Sequence, residues 1–260
     1  MRAVARFVGD AYSYLAFRRR KSQFRGVYEN FRQAEATVPR WKKIGYNHED
    51  LAREYQADLN LRLESFDYPI LFHLDRIIGR CRIVFDFGGN LGVHYLRYRR
   101  YLKLEDVKWI VLDLPEIIKV GRETCTDLPN VSFIKDIAEF NEPQIDIFLA
   151  SGSMQYIASP DLLLQKMIDN GIRPAHILIN RLPAYDGPQF VTLQNGGLVY
   201  YPQYVFNREI YIRAIANLDY ELIDIWDDTA DSCLIPFHPE RSIRAYTGLY
   251  FSQTAKPGIF

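Results

Sequence analysis

Five short, unbroken apolar runs constrain this chain more than any other feature. They are "RIVFDF" (82–87), "VKWIVLDLP" (107–115), "VSFIKDI" (131–137), "IDIFLAS" (145–151) and "AHILINR" (175–181). Runs of this kind, rich in Val, Ile, Leu and Phe and without polar alternation, suit strands buried on both faces. Between them lie segments with helical character, such as "VHYLRYRRYLKL" (93–104) and "SPDLLLQKMIDNG" (159–171). The second opens on Ser159, Pro160 and Asp161 and closes on Gly171, which are helix start and stop signals. Strand and helix in alternation predict an α/β fold, a parallel sheet with helices on both faces and right-handed crossovers. The ending differs: "NREIYIRAIANLDYELIDIWDD" (207–228) reads as a helix running into a strand, and "RSIRAYTGLYFSQ" (241–253) as another strand with no helix before it. These last two strands are expected to be antiparallel neighbours.

Residues 1–78 contain none of these runs and are expected to form a helical extension, suited to cap a substrate, ahead of a domain at 79–260. The segment "RLPAYDGPQFVTLQNGGLVYYPQY" (181–204) reads as a long loop, which a compact domain tolerates as a lid or binding loop. With 260 residues, 48% of them hydrophobic, the chain can bury a full core. Its 32 basic and 32 acidic residues cancel, so no global field draws it to nucleic acid, and no such partner is expected. The first 43 residues, however, carry eleven Lys or Arg against three Asp or Glu, with a run at Arg18–Lys21, leaving 21 basic and 29 acidic residues for the rest. A basic surface there would suit peripheral contact with anionic lipid. Cys81, Cys125 and Cys233 have neither disulfide-framework nor zinc-ligand spacing, so no metal is expected and a reducing, cytoplasmic location fits best. Nothing in the sequence fixes an oligomeric state.

The first apolar run ends in "DFGGNLG", Asp86 to Gly92. In an open parallel sheet, ligands sit outside the carboxyl ends of the strands, where the first strand turns into its helix. Gly88 and Gly89 are expected to take positive φ and admit a ligand to the backbone, and Gly92 to bring the helix close to the strand. A dinucleotide fingerprint would place a second glycine where Asn90 stands, and Asp86 would repel a pyrophosphate. A ligand carrying a cationic sulfur and an ammonium suits that acid better. The second run ends in Asp113, 27 residues after Asp86, where a carboxylate can accept from both hydroxyls of a ribose. The third ends at Asp136, within reach of an adenine amino group.

Together these segments resemble a class I S-adenosylmethionine-dependent methyltransferase, over roughly residues 80–252. "DFGGNLG", "VLDLPEII" and "SMQYI" are most similar to small-molecule O-methyltransferases and to an uncharacterised bacterial methyltransferase group found among cell-surface polysaccharide genes. The resemblance implies a Rossmann-like seven-stranded sheet of order 3-2-1-4-5-7-6, the last strand antiparallel. It implies that Asp86, Gly88, Gly89, Asn90 and Gly92 surround the methionine part of S-adenosylmethionine. Asp113 and Leu114 would hold the ribose, Asp136 and Ile137 lie along the adenine, and Ser151 and Ser153 face the sulfonium and the substrate.

Where plant-type O-methyltransferases carry a histidine base after the fourth strand, this chain has Gln155, which cannot take a proton. Of the remaining candidates, His238 lies in "DDTADSCLIPFHPERS" (227–242), which should overhang the carboxyl edge, and Asp186 lies in the long loop. His94 is expected to pack beside the glycine turn, and His176 to open the fifth strand at the wrong edge. The expected activity is O-methylation of a small-molecule or glycan hydroxyl. The alternatives are a non-catalytic binding or scaffold protein of the same fold, and a dinucleotide-dependent oxidoreductase.

Overall fold

The computed structural model describes residues 15, 17, 18, 23–157 and 160–254. Residues 19–21 of the basic run and Ser159 of the helix start lie outside the described residues. Along the chain the strands and helices are β1 (Phe24–Tyr28), α1 (Phe31–Glu35), β2 (Lys43–Ile44), α2 (Glu49–Ala57) and α3 (Asp67–Ile77). Next come β3 (Ile83–Phe87), α4 (Val93–Tyr98), β4 (Lys108–Leu112), α5 (Pro115–Thr124), β5 (Val131–Ile134) and β6 (Ile147–Ser151). Then follow α6 (Pro160–Asp169), β7 (His176–Leu182), β8 (Ala184–Tyr185), β9 (Phe190–Asn195), β10 (Val199–Asn207), α7 (Arg208–Ala216), β11 (Tyr220–Asp228) and β12 (Tyr246–Gln253).

All five apolar runs become strands of one seven-stranded sheet, ordered β11-β12-β7-β6-β3-β4-β5. Strands β5, β4, β3, β6 and β7 are mutually parallel, and β12 runs antiparallel to both β7 and β11. Counted within this sheet, the order is the 3-2-1-4-5-7-6 that the sequence implied, and the fold is Rossmann-like α/β. Strand β3 is buried at every residue, and its pleat divides the core. Ile83, Phe85 and Phe87 pack on one face with Phe148, Ile177 and Ile179, while Val84 packs on the other with Trp109, Val111 and Leu149. Burying each such side chain contributes roughly 1.5–3 kcal/mol, which is why these runs show no polar alternation.

Two expectations fail. Residues 181–204 are not a loop: β9 and β10 form an antiparallel hairpin around residues 196–198, with Tyr200 opposite Asn195. Asn195-Gly196 was an available hairpin signal, masked by Pro202, which sits inside β10 opposite Leu193. Nor is the region before residue 78 only helical. Strand β1 pairs with β9, Phe24 opposite Gln194, in a second sheet of order β1-β9-β10-β2, with β8 on β10. A register shift between Arg25 and Tyr28, around Gly26 at φ +76°, breaks the alternation that would have marked β1. This second sheet packs over the carboxyl edge of the first. Phe24, Phe190 and Val205 join Cys233 and Ile235 of the connection between β11 and β12, and Tyr246 at the start of β12.

Candidate active site

The turn after β3 is shaped from within. Gly88 takes φ of +67°, as expected, whereas Gly89 does not take a positive φ; Gly92 takes +80°, and Asn90 takes +55° with its own Oδ1 accepting from Leu91 N–H. Gly89 is glycine for a different reason: a Cβ there would lie 2.4 Å from the carboxyl carbon of Asp86. Asp86 is fully buried beneath the turn, where it accepts from Trp109 Nε1 at 2.9 Å and lies 3.0 Å from His94 Nδ1. This corrects its expected role. It does not face a ligand ammonium; it ties β4 and the first turn of α4 to the glycine turn. His94 packs beside the turn, as its position suggested.

Asp113, just after β4, stands at the surface of the carboxyl edge. It accepts from Asn90 N–H at 2.8 Å and from Leu114 N–H at 2.7 Å, so the glycine turn itself positions it. A carboxylate offers about four acceptor sites, leaving about two for a ligand. Although part of Asp113 meets solvent, the protein packed around its carboxylate pushes its pKa up to about 6, against the pull of those two N–H groups. Leu114 beside it is 39% exposed, an apolar surface at the strand end. Asp136 is exposed and caps the short 3₁₀ turn that follows β5, accepting from Ala138 N–H at 2.9 Å, while Ile137 is half-buried.

No protein-family model and no curated protein sequence matches the chain. Solved structures do match. Burkholderia thailandensis 1,6-didemethyltoxoflavin-N1-methyltransferase, with 1,6-didemethyltoxoflavin and S-adenosylhomocysteine bound, is 15% identical; the match spans 81% of this chain and 92% of that one, with a TM-score of 0.51. An S-adenosylmethionine-dependent methyltransferase from Clostridium acetobutylicum is 11% identical over 79% of this chain and 98% of its own, with a TM-score of 0.51. Human N-acetylserotonin methyltransferase in complex with S-adenosylmethionine is 14% identical over 81% of this chain and 58% of its own, with a TM-score of 0.53. The fold is that of the class I methyltransferases.

On this methyltransferase fold, the segment after β6 divides two regions. Ser153 Oγ donates to Phe87 O at 2.7 Å, and a Cβ on Gly88 would lie 2.4 Å from Ser153 Cβ, so this segment touches the glycine turn. Ser151, expected at the cofactor, is instead buried with Asn180 Nδ2 3.4 Å from its hydroxyl oxygen. On the other side, Gly152, Gln155 and Tyr156 line a cavity of about 120 Å³, closed by Arg181 near the end of β7, Asp231 of the overhanging connection and Phe24 of β1. Gln155 is 2% exposed and its Oε1 has no hydrogen-bond partner among the described residues.

Above this edge the second sheet and the region before α2 contribute an aromatic cluster. Tyr46 stacks on Tyr201 with ring centroids 4.1 Å apart, and both meet Tyr156 edge-on. Tyr156 Oη donates to Gln194 Oε1 at 2.8 Å. Burial pushes the phenols of Tyr46, Tyr55, Tyr156 and Tyr201 above their usual range, with Asp113 adding to the effect at Tyr55. They are neutral donors and apolar walls, not bases.

Neither expected base lines the cavity. His238 is exposed beside Glu240, Nδ1 to Oε1 3.3 Å, and the Asp186 side chain is 85% exposed, 3.9 Å from Arg208. The connection carrying His238 does overhang the active edge, but it turns Asp231 inward. Arg181, Asp231, Phe24 and Gln194 had no signal in the sequence, because each reaches the cavity from a different segment. Among the described residues, no group of three His, Cys, Asp or Glu is placed to hold a metal, and no helix is long and apolar enough to cross a membrane.

Proposed function

We propose that the chain is an S-adenosylmethionine-dependent methyltransferase that methylates a hydroxyl of a small molecule or glycan. The observation that carries the reading is the seven-stranded sheet with its reversed strand β12, together with Asp113 held outward at the end of β4 by the glycine turn. The matched methyltransferase structures, two of which hold S-adenosylmethionine or its demethylated product, support the same choice.

The residues at this edge fit that cofactor. Asp113 has acceptor capacity left for two ribose hydroxyls, Leu114 and Ile137 supply apolar surface for a base, and Asp136 has a second carboxylate oxygen for an amino group. When bound, S-adenosylmethionine supplies a methyl group on a cationic sulfur. The chain's own task is then positioning, which contributes most to an in-line displacement. Ser153 fixes the distance between the glycine turn and the segment carrying Gln155. The tyrosine cluster and β1 exclude water from above, so the region before residue 78 acts as a cap on the acceptor side.

Titration calorimetry with S-adenosylmethionine and with NAD tests the reading: binding of the first and not the second is expected, and the reverse would replace it with an oxidoreductase. Gln155 in place of a histidine base favours one other reading, a binding protein of the same fold. Release of S-adenosylhomocysteine in the presence of hydroxylated acceptors separates an enzyme from that alternative.

A further inference from the structure

The cavity beside Gln155 has a chemical bias. Several of its donors are engaged: Tyr156 Oη donates to Gln194, and Arg181 Nε donates to Asp231 Oδ2 at 2.6 Å. Arg181 takes φ of +55° and lays its guanidinium over the Phe66 ring, 4.2 Å from the centroid. The buried atom left without a partner, Gln155 Oε1, is an acceptor. Asp231, 28% exposed at its side chain, uses one oxygen on Arg181 and retains acceptor capacity. A ligand that fits this lining must bring hydrogen-bond donors. The cavity, about 120 Å³, has room for small polar groups.

A second carboxylate stands behind the first. Asp228, at the end of β11, is 4% exposed; its Oδ1 accepts from Ala230 N–H and its Oδ2 has no hydrogen-bond partner among the described residues. Burial raises its pKa, the Ala230 N–H opposes this, and the neighbouring Asp231 adds to it.

We propose, resting on the methyltransferase reading above, that this cavity receives one edge of a polyhydroxylated acceptor, with Gln155 Oε1 accepting from one hydroxyl and Asp231 taking the proton of the reacting neighbour. In this step the acceptor O–H bond breaks and its proton passes to a carboxylate oxygen of Asp231. The oxygen forms a bond to the methyl carbon of the sulfonium donor as the carbon–sulfur bond breaks, its electron pair staying on sulfur. The products are a methyl ether, a neutral thioether and a protonated Asp231, which returns its proton to water. The geometry gives the two regions a common wall: Ser153 touches the glycine turn, and Gly152 and Gln155, its neighbours in the same segment, line the cavity.

The test uses the full chain and three separate readouts. S-adenosylhomocysteine affinity by calorimetry checks the cofactor reading and the integrity of each variant. Saturation-transfer NMR with methyl α-D-glucopyranoside, methyl β-D-galactopyranoside, myo-inositol and phenol, in the presence of S-adenosylhomocysteine, checks the acceptor class. Methylation of whichever polyol binds checks the base. The expected results are binding of at least one polyol and not phenol, and at least tenfold weaker polyol binding in Gln155→Leu. Asp231→Asn should keep polyol affinity within about threefold while turnover falls by about 10²–10⁴, and Asp231→Glu should recover part of that loss. Failure to bind S-adenosylhomocysteine would overturn the methyltransferase reading and this proposal with it. Binding of S-adenosylhomocysteine with no polyol bound, with phenol preferred, or with full turnover in Asp231→Asn would overturn this proposal alone.

Discussion

The two halves of the carboxyl edge are built in opposite ways. On the β3–β4–β5 side, Asp86, the glycines, Asn90 and Asp113 lie within 28 consecutive residues and organise one another through short contacts. On the β6–β7–β11 side, the cavity draws Phe24, Gln155, Arg181, Gln194 and Asp231 from five separate stretches of chain. The first half is a local motif that folds as a unit. The second exists only when the whole molecule has closed. This division allows one region to stay fixed while the other varies, because a change in any one contributor reshapes the cavity without touching the glycine turn.

Substitutions should respect this division, and the largest effect should fall on the local half. Gly89→Val drives a side chain into the Asp86 carboxyl and separates it from Trp109 and His94. Stability should fall by about 3 kcal/mol, combining overpacking with lost buried hydrogen bonds, and urea unfolding would show it; an unchanged midpoint would mean that the turn is not braced from below. Asp113→Ala should weaken S-adenosylhomocysteine binding at least tenfold, about 1.4 kcal/mol, with polyol binding retained. Loss of both would show that the two halves are one site.

The pH dependence sharpens the same contrast. With its pKa at about 6, Asp113 becomes the better acceptor for hydroxyls as pH rises through that value. S-adenosylhomocysteine affinity should therefore increase between about pH 5 and pH 7, and Asp113→Asn should flatten the profile. The linkage to folding has the opposite sign: a carboxyl whose folded pKa is raised favours the folded state below its unfolded value near 3.8, and that contribution is lost as pH rises through about 6. Calorimetric affinity and urea midpoints measured across this window should move in opposite directions. A smaller effect is expected from Tyr156→Phe, which frees Gln194 from its hydrogen bond. Acceptor binding should change by roughly fivefold, about 1 kcal/mol, with cofactor affinity unaltered. The smallest is His238→Ala: an exposed side chain outside the cavity should leave turnover unchanged and stability within about 0.5 kcal/mol.

What the sequence revealed follows the same line. The five buried strands were legible because burial on both faces is written into each run without reference to a partner, and the reversed β12 because the chain had no room for another crossover. Asp113 was legible as the acid ending a strand. Asp86 was placed correctly but given the wrong task, since its burial depends on Trp109, which stands on the neighbouring strand. The β9–β10 hairpin was hidden by Pro202, and β1 by the bulge at Gly26 and a partner far along the chain. His238 was preferred for its chemistry, whereas Arg181 and its distant neighbour Asp231, 50 positions on, orient each other only in three dimensions.

The pairing of Phe24 with Gln194 has a consequence for biosynthesis. These residues are 170 positions apart, so at ~5–20 residues per second the leading segment waits roughly 10–30 seconds on the ribosome for its partner to emerge. The nascent glycine turn has all its contributors long before then. The glycine turn can thus assemble before the second sheet closes over the carboxyl edge, and the cavity beside Gln155 is completed later still, when Asp231 and Tyr246 arrive.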